Sequence, residues 1–287
     1  MSDIKFAIML PYYGPKALLQ QAVQSVLRQQ TATGWSLTIL DDAYPDESAG
    51  RWAKGLNDPR ITYIRNPKNL GLALNFQKAL ELSAGTYTIL LGSDDVLLPN
   101  YIEELDRLTG IAPDADIVQP GVSVIDQTGQ EVRPLVDRVK AAIRPRLKGG
   151  TERILSGETL AVSLLRGDWA YFPSIAWKTA SVQGFGFDSG METALDLRLL
   201  LSVIGDGGSM IISDEVCFTY RRHKKSVSSE LAREGGRFTE EEELFREFEQ
   251  KFAAQGWRRA QQAARWHITS RAYRLLSRLQ PKARGRE

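Results

Sequence analysis

Residues 86–99 read TYTILLGSDDVLLP, and the fold turns on how this stretch is taken. An apolar run ends in a glycine and two adjacent acids, Asp94 and Asp95, and a second apolar run follows at once. A short apolar run bounded by a turn is the pattern of a buried strand. Neighbouring carboxylates repel each other and are costly to dehydrate. The pair is therefore one of two things. It is a polar strand exit before a helix starting near Pro99, where the helix dipole favours negative charge, or it holds something positively charged.

The chain before this stretch repeats the same design. KFAIMLPYY, residues 5–13, is an apolar run ended by Pro11, and WSLTILDDA (35–43) and ITYIRNP (61–67) are two more. Between them, Lys16 to Arg28, Glu47 to Leu56 and Leu72 to Leu82 carry apolar residues at helical spacing. Strands alternating with helices predict a parallel, doubly wound α/β sheet, whose ligands lie outside the carboxyl ends of the strands. Polar residues stand at all four ends: Tyr12 and Tyr13, Asp41 and Asp42, Arg65 and Asn66, Asp94 and Asp95. Four such ends aimed at one crevice predict a site.

Composition narrows the partners. The chain has 287 residues, enough for one large core or a core with an appendage, and its net charge of +2 gives no overall basic field for nucleic acid. A single cysteine, Cys217, excludes an internal disulfide framework and a cysteine zinc site, and fits a reducing compartment. The opening MSDIKFAIML does not read as a signal peptide. No stretch approaches the roughly 18 apolar residues of a spanning helix. The expectation is a cytoplasmic protein, with peripheral membrane contact left open.

After about Asp116 the rhythm changes. IVQPGVSVIDQTGQEV (117–132) reads as strands around a glycine-containing turn, and RVKAAIRPRLKGG (138–150) as a basic, mobile connection. GETLAVSLLRGDW (157–169) and METALDLRLLLSVI (191–204) read as helices, and SMIISDEVCFTYRRH (209–223) as a strand region. From about Phe238 the chain is mostly charged helix. Phe245, Phe248 and Phe252 share one face, and Ile268, Ala272, Leu275, Leu276 and Leu279 another.

IMLPYYG, LTILDDAYPDES, RNPKNLGLALNFQKAL, AGTYTILLGSDDVLLPNYI, GFGFDSGMETALDLRLLL and YRRHKKSVSS, in that order, resemble the family 2 glycosyltransferases of the GT-A fold. The resemblance spans about residues 5 to 229. It implies a GT-A domain over residues 1–230, with a nucleotide-binding half (1–116) and an acceptor half (117–230), followed by a basic helical extension (231–287). It also implies inverting transfer of a sugar from a nucleoside diphosphate, a uridine one, to a saccharide or lipid-linked acceptor in surface polysaccharide assembly.

The resemblance assigns roles residue by residue. Pro11, Tyr12 and Tyr13 match the turn beside the nucleotide, where an aromatic face can lie near a flat base. Asp42 matches an acid that accepts from the base or ribose, and Asn66, Asn69 and Gly71 match an N-x-x-N-x-G corner whose residues are also ordinary turn formers. GSDD matches the family's Asp-x-Asp metal motif with Ser93 in its first position. Asp95 is then assigned to a divalent ion, Mn²⁺ or Mg²⁺, and Asp94 to the ribose or a metal-bound water. Such ions commonly bridge one or two carboxylates to phosphates. Asp196 matches the general base. Leu195 stands where the family carries glutamate, and Glu192, one turn earlier, is the substitute. His223 matches a histidine near the metal or diphosphate, and Arg221, Arg222 and Lys224 suit phosphate oxygens.

One enzyme class is disfavoured and two questions stay open. A nucleotidyltransferase would need a glycine-rich phosphate loop after the first strand, which LPYYGPKALL (10–19) lacks. Leu195 keeps alive a sugar-nucleotide-binding or scaffold protein without catalysis. The C-terminal arginines, from Arg258 to Arg286, lie either on an anionic membrane or on a helix packed against protein.

Overall fold

The computed structural model describes residues 4–147, 149–187, 194–223 and 236–267. The first half is β1 (Phe6–Tyr12), α1 (Lys16–Leu27), β2 (Trp35–Asp41), α2 (Ser48–Lys54), β3 (Ile61–Arg65), α3 (Leu72–Leu82) and β4 (Tyr87–Leu90). β1 pairs in parallel with β2 and β4, and β2 with β3. The apolar runs are near-continuous because both faces of these strands are covered. Along β1, Phe6, Ile8, Leu10 and Tyr12 enter one core with α1, while Ala7 and Met9 enter the other with α3.

The second half is β5 (Val96–Leu97), α4 (Tyr101–Ile111), β6 (Ile117–Ile125), α5 (Leu135–Ile143), β7 (Glu152–Ser156), α6 (Gly157–Leu165), β8 (Ala176–Lys178), α7 (Thr179–Val182), α8 (Leu195–Gly205) and β9 (Ser209–Arg221). The sheet runs β3-β2-β1-β4-β8-β6-β9-β5, with β7 also on β9. β8 is antiparallel to both neighbours, as are β5 and β7 to β9, so the sheet is mixed but mostly parallel.

One irregularity positions the site. The parallel register of β6 with β9 slips around Gly121. A Cβ there would stand 2.6 Å from the Asp214 carbonyl oxygen and 2.7 Å from that of Glu215, so only glycine permits this backbone approach. Beyond the slip, β9 runs beside β5 and carries Tyr220 and Arg221 to the carboxyl end of the parallel strands.

The helix expected near Pro99 begins at Tyr101, and β5 lies between it and the acids at 94–95. One reading of the sequence is corrected. The basic segment 138–150 is not a mobile connection in its first part: Arg138 to Ile143 belong to α5. Its Leu135, Val136 and Val139 are exposed and its acid is buried, which hides the helix from a search for a buried apolar stripe.

After α8, the chain adds α9 (Gly236–Ala254) and α10 (Arg258–Trp266). Phe245, Phe248 and Phe252 are buried in the core that also holds Leu199, Leu200 and α6. Glu158 on α6 accepts the Arg259 and Ala260 N–H groups, at 2.6 and 3.2 Å, at the start of α10. No described helix is long and apolar enough to cross a membrane. Glu192, Lys224 and the stripe from Ile268 onward lie outside the described residues.

Candidate active site

The carboxyl ends of β1, β2 and β4 open into a cleft of about 850 Å³, closed on the far side by α8 and the end of β9. Pro11, Tyr12, Tyr13, Asp42, Asn69 and Gly71 line one part of it, and Asp94, Asp95, Asp196, Arg222 and His223 another. Asn66 is the exception among the expected residues. It is buried behind Asp42 and reaches the cleft only through that side chain.

β2 ends in two acids with different work. Asp41 is fully buried and turns away from the cleft. It accepts from the Tyr63 hydroxyl, from Arg65 at 2.8 Å and from the Tyr44 N–H at 2.9 Å. Burial, then Asp41, push the Tyr63 phenol up to about 12. Asp42 instead closes the 66–71 corner. Its Oδ1 accepts from Asn66 Nδ2 and the Leu70 N–H, each at 2.8 Å, and its Oδ2 from the Gly71 N–H at 2.9 Å. A carboxylate has about four acceptor positions, so Asp42 keeps room for one more donor. Gly71 sits at φ +81°, which explains a glycine at this corner. Asn66 is held in turn by Asn75 Oδ1 at 3.0 Å and by Lys78 Nζ at 2.7 Å.

The β1 end supplies aromatic surface. Tyr12 is buried and donates its hydroxyl to the Gly14 carbonyl at 2.6 Å, while Tyr13 is 54 % exposed and meets Tyr44 edge-on with centroids 5.1 Å apart. Tyr13 thus offers a free ring face beside Asp42.

The turn after β4 presents the opening pair. Asp95 is buried, and its Oδ1 accepts the Arg221 N–H at 2.8 Å. Burial, then the neighbouring Asp94 charge, hold its carboxyl well above the usual carboxylate range, against the pull of that N–H. Asp94 Oδ2 lies 2.7 Å from His223 Nε2. Arg221 differs from the expectation that it meets phosphate. Its guanidinium donates to the carbonyls of Asp94 and Asp126, at 2.8 and 3.3 Å, and to Gln21 Oε1 at 2.8 Å. It therefore clamps the acid turn.

Asp196 stands in the first turn of α8 with its Oδ1 2.8 Å from the Leu197 N–H. Its neighbour Leu195 is buried in the α6–α8 core and also forms cleft wall, so the position where the resemblance carries glutamate is apolar here. Arg198, one turn on, pairs with Glu247 at 3.3 Å.

Several cleft residues escaped the sequence reading. Lys140, Tyr171, Phe172, Pro173 and Tyr220 all line it. Tyr171 donates to Asp137 Oδ1 at 2.9 Å, and Arg222 donates to the same oxygen at 2.6 Å. Asp137 Oδ2 and Arg222 Nε are buried without a partner among the described residues. Burial, then Asp95, push the Tyr220 phenol up. The available signal was the aromatic run DWAYFP, 168–173, in a loop between helix and strand.

The chain is similar to known proteins in family, sequence and fold. A family model described as glycosyl transferase family 2 matches residues 7–163, more than half of the chain. The putative colanic acid biosynthesis glycosyl transferase WcaA of Escherichia coli K12 is 36 % identical over 97 residues, 33 % of this chain and 34 % of its own. The Escherichia coli UDP-Glc:alpha-D-GlcNAc-diphosphoundecaprenol beta-1,3-glucosyltransferase WfgD is 29 % identical over 103 residues, 36 % of this chain and 40 % of its own. The matches thus span about a third to two fifths of these relatives' lengths. Among solved structures, S. aureus TarS 1–349 in complex with UDP-GlcNAc superposes with a TM-score of 0.66 at 13 % identity, covering 87 % of this chain and 66 % of that one. At that identity the likeness concerns the fold, which is GT-A-like.

Proposed function

The chain belongs to glycosyl transferase family 2, and on that premise we propose that its cleft transfers a sugar from a UDP-sugar to a hydroxyl of a saccharide or lipid-linked acceptor, with inversion, in cell-surface polysaccharide assembly. The observation that carries this reading is the meeting of Asp42, Asp94, Asp95, Asp196 and His223 in one cleft, although 181 positions separate the first from the last. The UDP-GlcNAc bound by TarS and the UDP-Glc and diphosphoundecaprenol substrates in the name of WfgD support the choice of donor and acceptor class.

In this reading the exposed face of Tyr13 receives the uracil ring, and the remaining acceptor position of Asp42 takes an N–H or ribose hydroxyl. Asn66, Asn69 and Gly71 keep Asp42 in place. Arg222 faces the diphosphate. Asp196 accepts the proton of the acceptor hydroxyl as its oxygen attacks the anomeric carbon, an effect typically worth about 10²–10⁴-fold.

The acid turn fits a hard divalent cation. Asp95 is buried, its ionised form needs compensation, and Asp94, next in sequence, lies against His223. No group of three or more His, Cys, Asp or Glu among the described residues is arranged to hold an ion alone. Asp95 and His223 would hold Mn²⁺ or Mg²⁺, with Asp94 beside them and further oxygens from the diphosphate. When bound, the ion supplies Lewis-acid neutralisation of the departing diphosphate.

A second reading rests on Leu195, an apolar residue at the position where the family usually carries glutamate. It is a protein that binds the sugar nucleotide without turning it over. One screen separates the two: nucleotide sugars with Mn²⁺ or with chelator, read by thermal shift and by nucleotide release. Stabilisation by a UDP-sugar together with release that falls at least about tenfold in Asp196→Asn supports transfer. Stabilisation without release supports binding alone, and no response to any nucleotide removes both.

A further inference from the structure

Helix α5 is polar on the inside. Its buried residue is Asp137, which faces Tyr171 and Arg222. Lys140 points the same way and donates to the Ala170 carbonyl at 2.7 Å, and Arg144, just past the helix, donates to the Ser213 carbonyl at 2.7 Å. A helix advances about 100° per residue, so a polar row at 137, 140 and 144 turns Leu135 and Val139 away from the cleft with Val136 at their flank, while Ile143 at the helix end packs against the core. Leu135 is accordingly 73 % exposed, Val139 47 % and Val136 43 %. This is the reverse of a surface helix that buries an apolar stripe, and the apolar row is left facing outward.

The surroundings of that row are mainly basic. Between positions 131 and 153 the chain carries seven Lys or Arg against three acids, Glu131, Asp137 and Glu152, and Glu131 pairs with Arg133 at 3.8 Å. Asp137 is spent on the inner face, whereas Arg133, Arg138 and Arg146 are exposed. An apolar row within a basic rim is the composition of helices that lie in an anionic lipid interface. A protein partner is the poorer match, since a stable interface needs about 800 Å² per side and three partly exposed aliphatic side chains cover far less.

We propose that the outward row of α5, Leu135, Val136 and Val139, with its arginine rim, docks on an anionic lipid bilayer. Lys140 on the inner side of the same helix lines the cleft, so docking sets one wall of the cleft, a helix thickness away, against the lipid surface. Only the further consequence, that a lipid-linked acceptor is met there, rests on the transferase reading.

Leu135→Cys in the full chain, labelled with an environment-sensitive NBD fluorophore, tests this. Cys217 is buried and its thiol is pushed up by burial, so it does not compete for label. Lys54→Cys on exposed α2 is the control. With vesicles of phosphatidylcholine containing about one third phosphatidylglycerol, the label at 135 should shift to the blue while the label at 54 does not. Pure phosphatidylcholine should give little shift. Leu135→Glu with Val139→Glu should weaken co-sedimentation with the anionic vesicles at least about tenfold, with Tm and UDP binding unchanged. An unshifted label at 135 overturns the proposal, even if the chain sediments through its C-terminal region. So does a shift that grows with protein concentration without vesicles, which would mark a contact between copies. Failure to bind UDP would remove the transferase reading and leave the lipid result standing.

Discussion

Changing Asp42 to Asn tests whether one carboxylate both builds the nucleotide corner and serves it. Asp42 accepts three donors, two on Oδ1 and one on Oδ2. An asparagine keeps one acceptor oxygen. Turned to retain Asn66 and Leu70, it sets its own NH₂ against the Gly71 N–H. That N–H is also bound by Asn69 Oδ1 at 2.8 Å, so no donor is orphaned. The loss is one charge-assisted bond, usually about 1.5–3 kcal/mol, plus the weakening of two others to neutral strength. Relief from burying a charge offsets part of it. The net is about 2–3 kcal/mol, which for a chain of this size means a Tm roughly 4–10 °C lower. Function should fall as well, because the acceptor position left for the nucleotide goes with the charge: UDP affinity should drop about 10–100-fold. Differential scanning calorimetry and titration calorimetry with UDP read the two effects. Asn69→Ala, which removes one exposed bond, should cost less than about 1 kcal/mol. An Asp42→Asn protein with Tm within about 1 °C of wild type and unchanged UDP affinity would refute the reasoning.

Three other outcomes follow from the same geometry. A Cβ on Gly92 would overlap Asp95 Oδ2; because that atom ends a side chain, Gly92→Ala should leave Tm within about 3 °C yet lower nucleotide release at least about tenfold, and full activity would contradict a role for Asp95. Asp137→Asn keeps an acceptor for Tyr171 but removes the charge facing Arg222, so the donor KM should rise about tenfold while kcat moves little; an unchanged KM would show that Arg222 needs no such support. The folded-state pKa of Tyr63, about 12, lies above the unfolded value near 10. The stability from keeping this phenol neutral is therefore whole below about pH 10 and is lost as pH climbs through about 12, so wild type should lose more Tm over that window than Tyr63→Phe, and parallel curves would count against the burial of this hydroxyl.

The parallel half was legible because each of its elements is one continuous run. β1, β2, β3 and β4 carry apolar residues on both faces, and each ends in the polar residues that line or brace the cleft. Two of the antiparallel strands were not legible for a physical reason: β5 has two residues and β8 three, too few for any periodicity, and their pairing is decided by partners far along the chain. α5 was missed because its apolar row faces outward. Arg221 could not be separated from Arg222 in sequence, since what distinguishes them is a partner, Gln21, 200 positions away. Asn66 shows the reverse case, where a motif position was found but its contact with the cleft is made by Asp42.

The central claim is that the carboxyl ends of the parallel strands hold a nucleoside diphosphate. A crystal structure of the chain with UDP and Mn²⁺ measures this most directly. The uracil should lie against Tyr13 and Asp42, with the diphosphate and the ion beside Asp95 and His223. UDP bound elsewhere, for instance in the separate cleft of about 680 Å³ bordered by Glu104, Arg107 and Glu215, with Asp42 and Asp95 untouched, would contradict it.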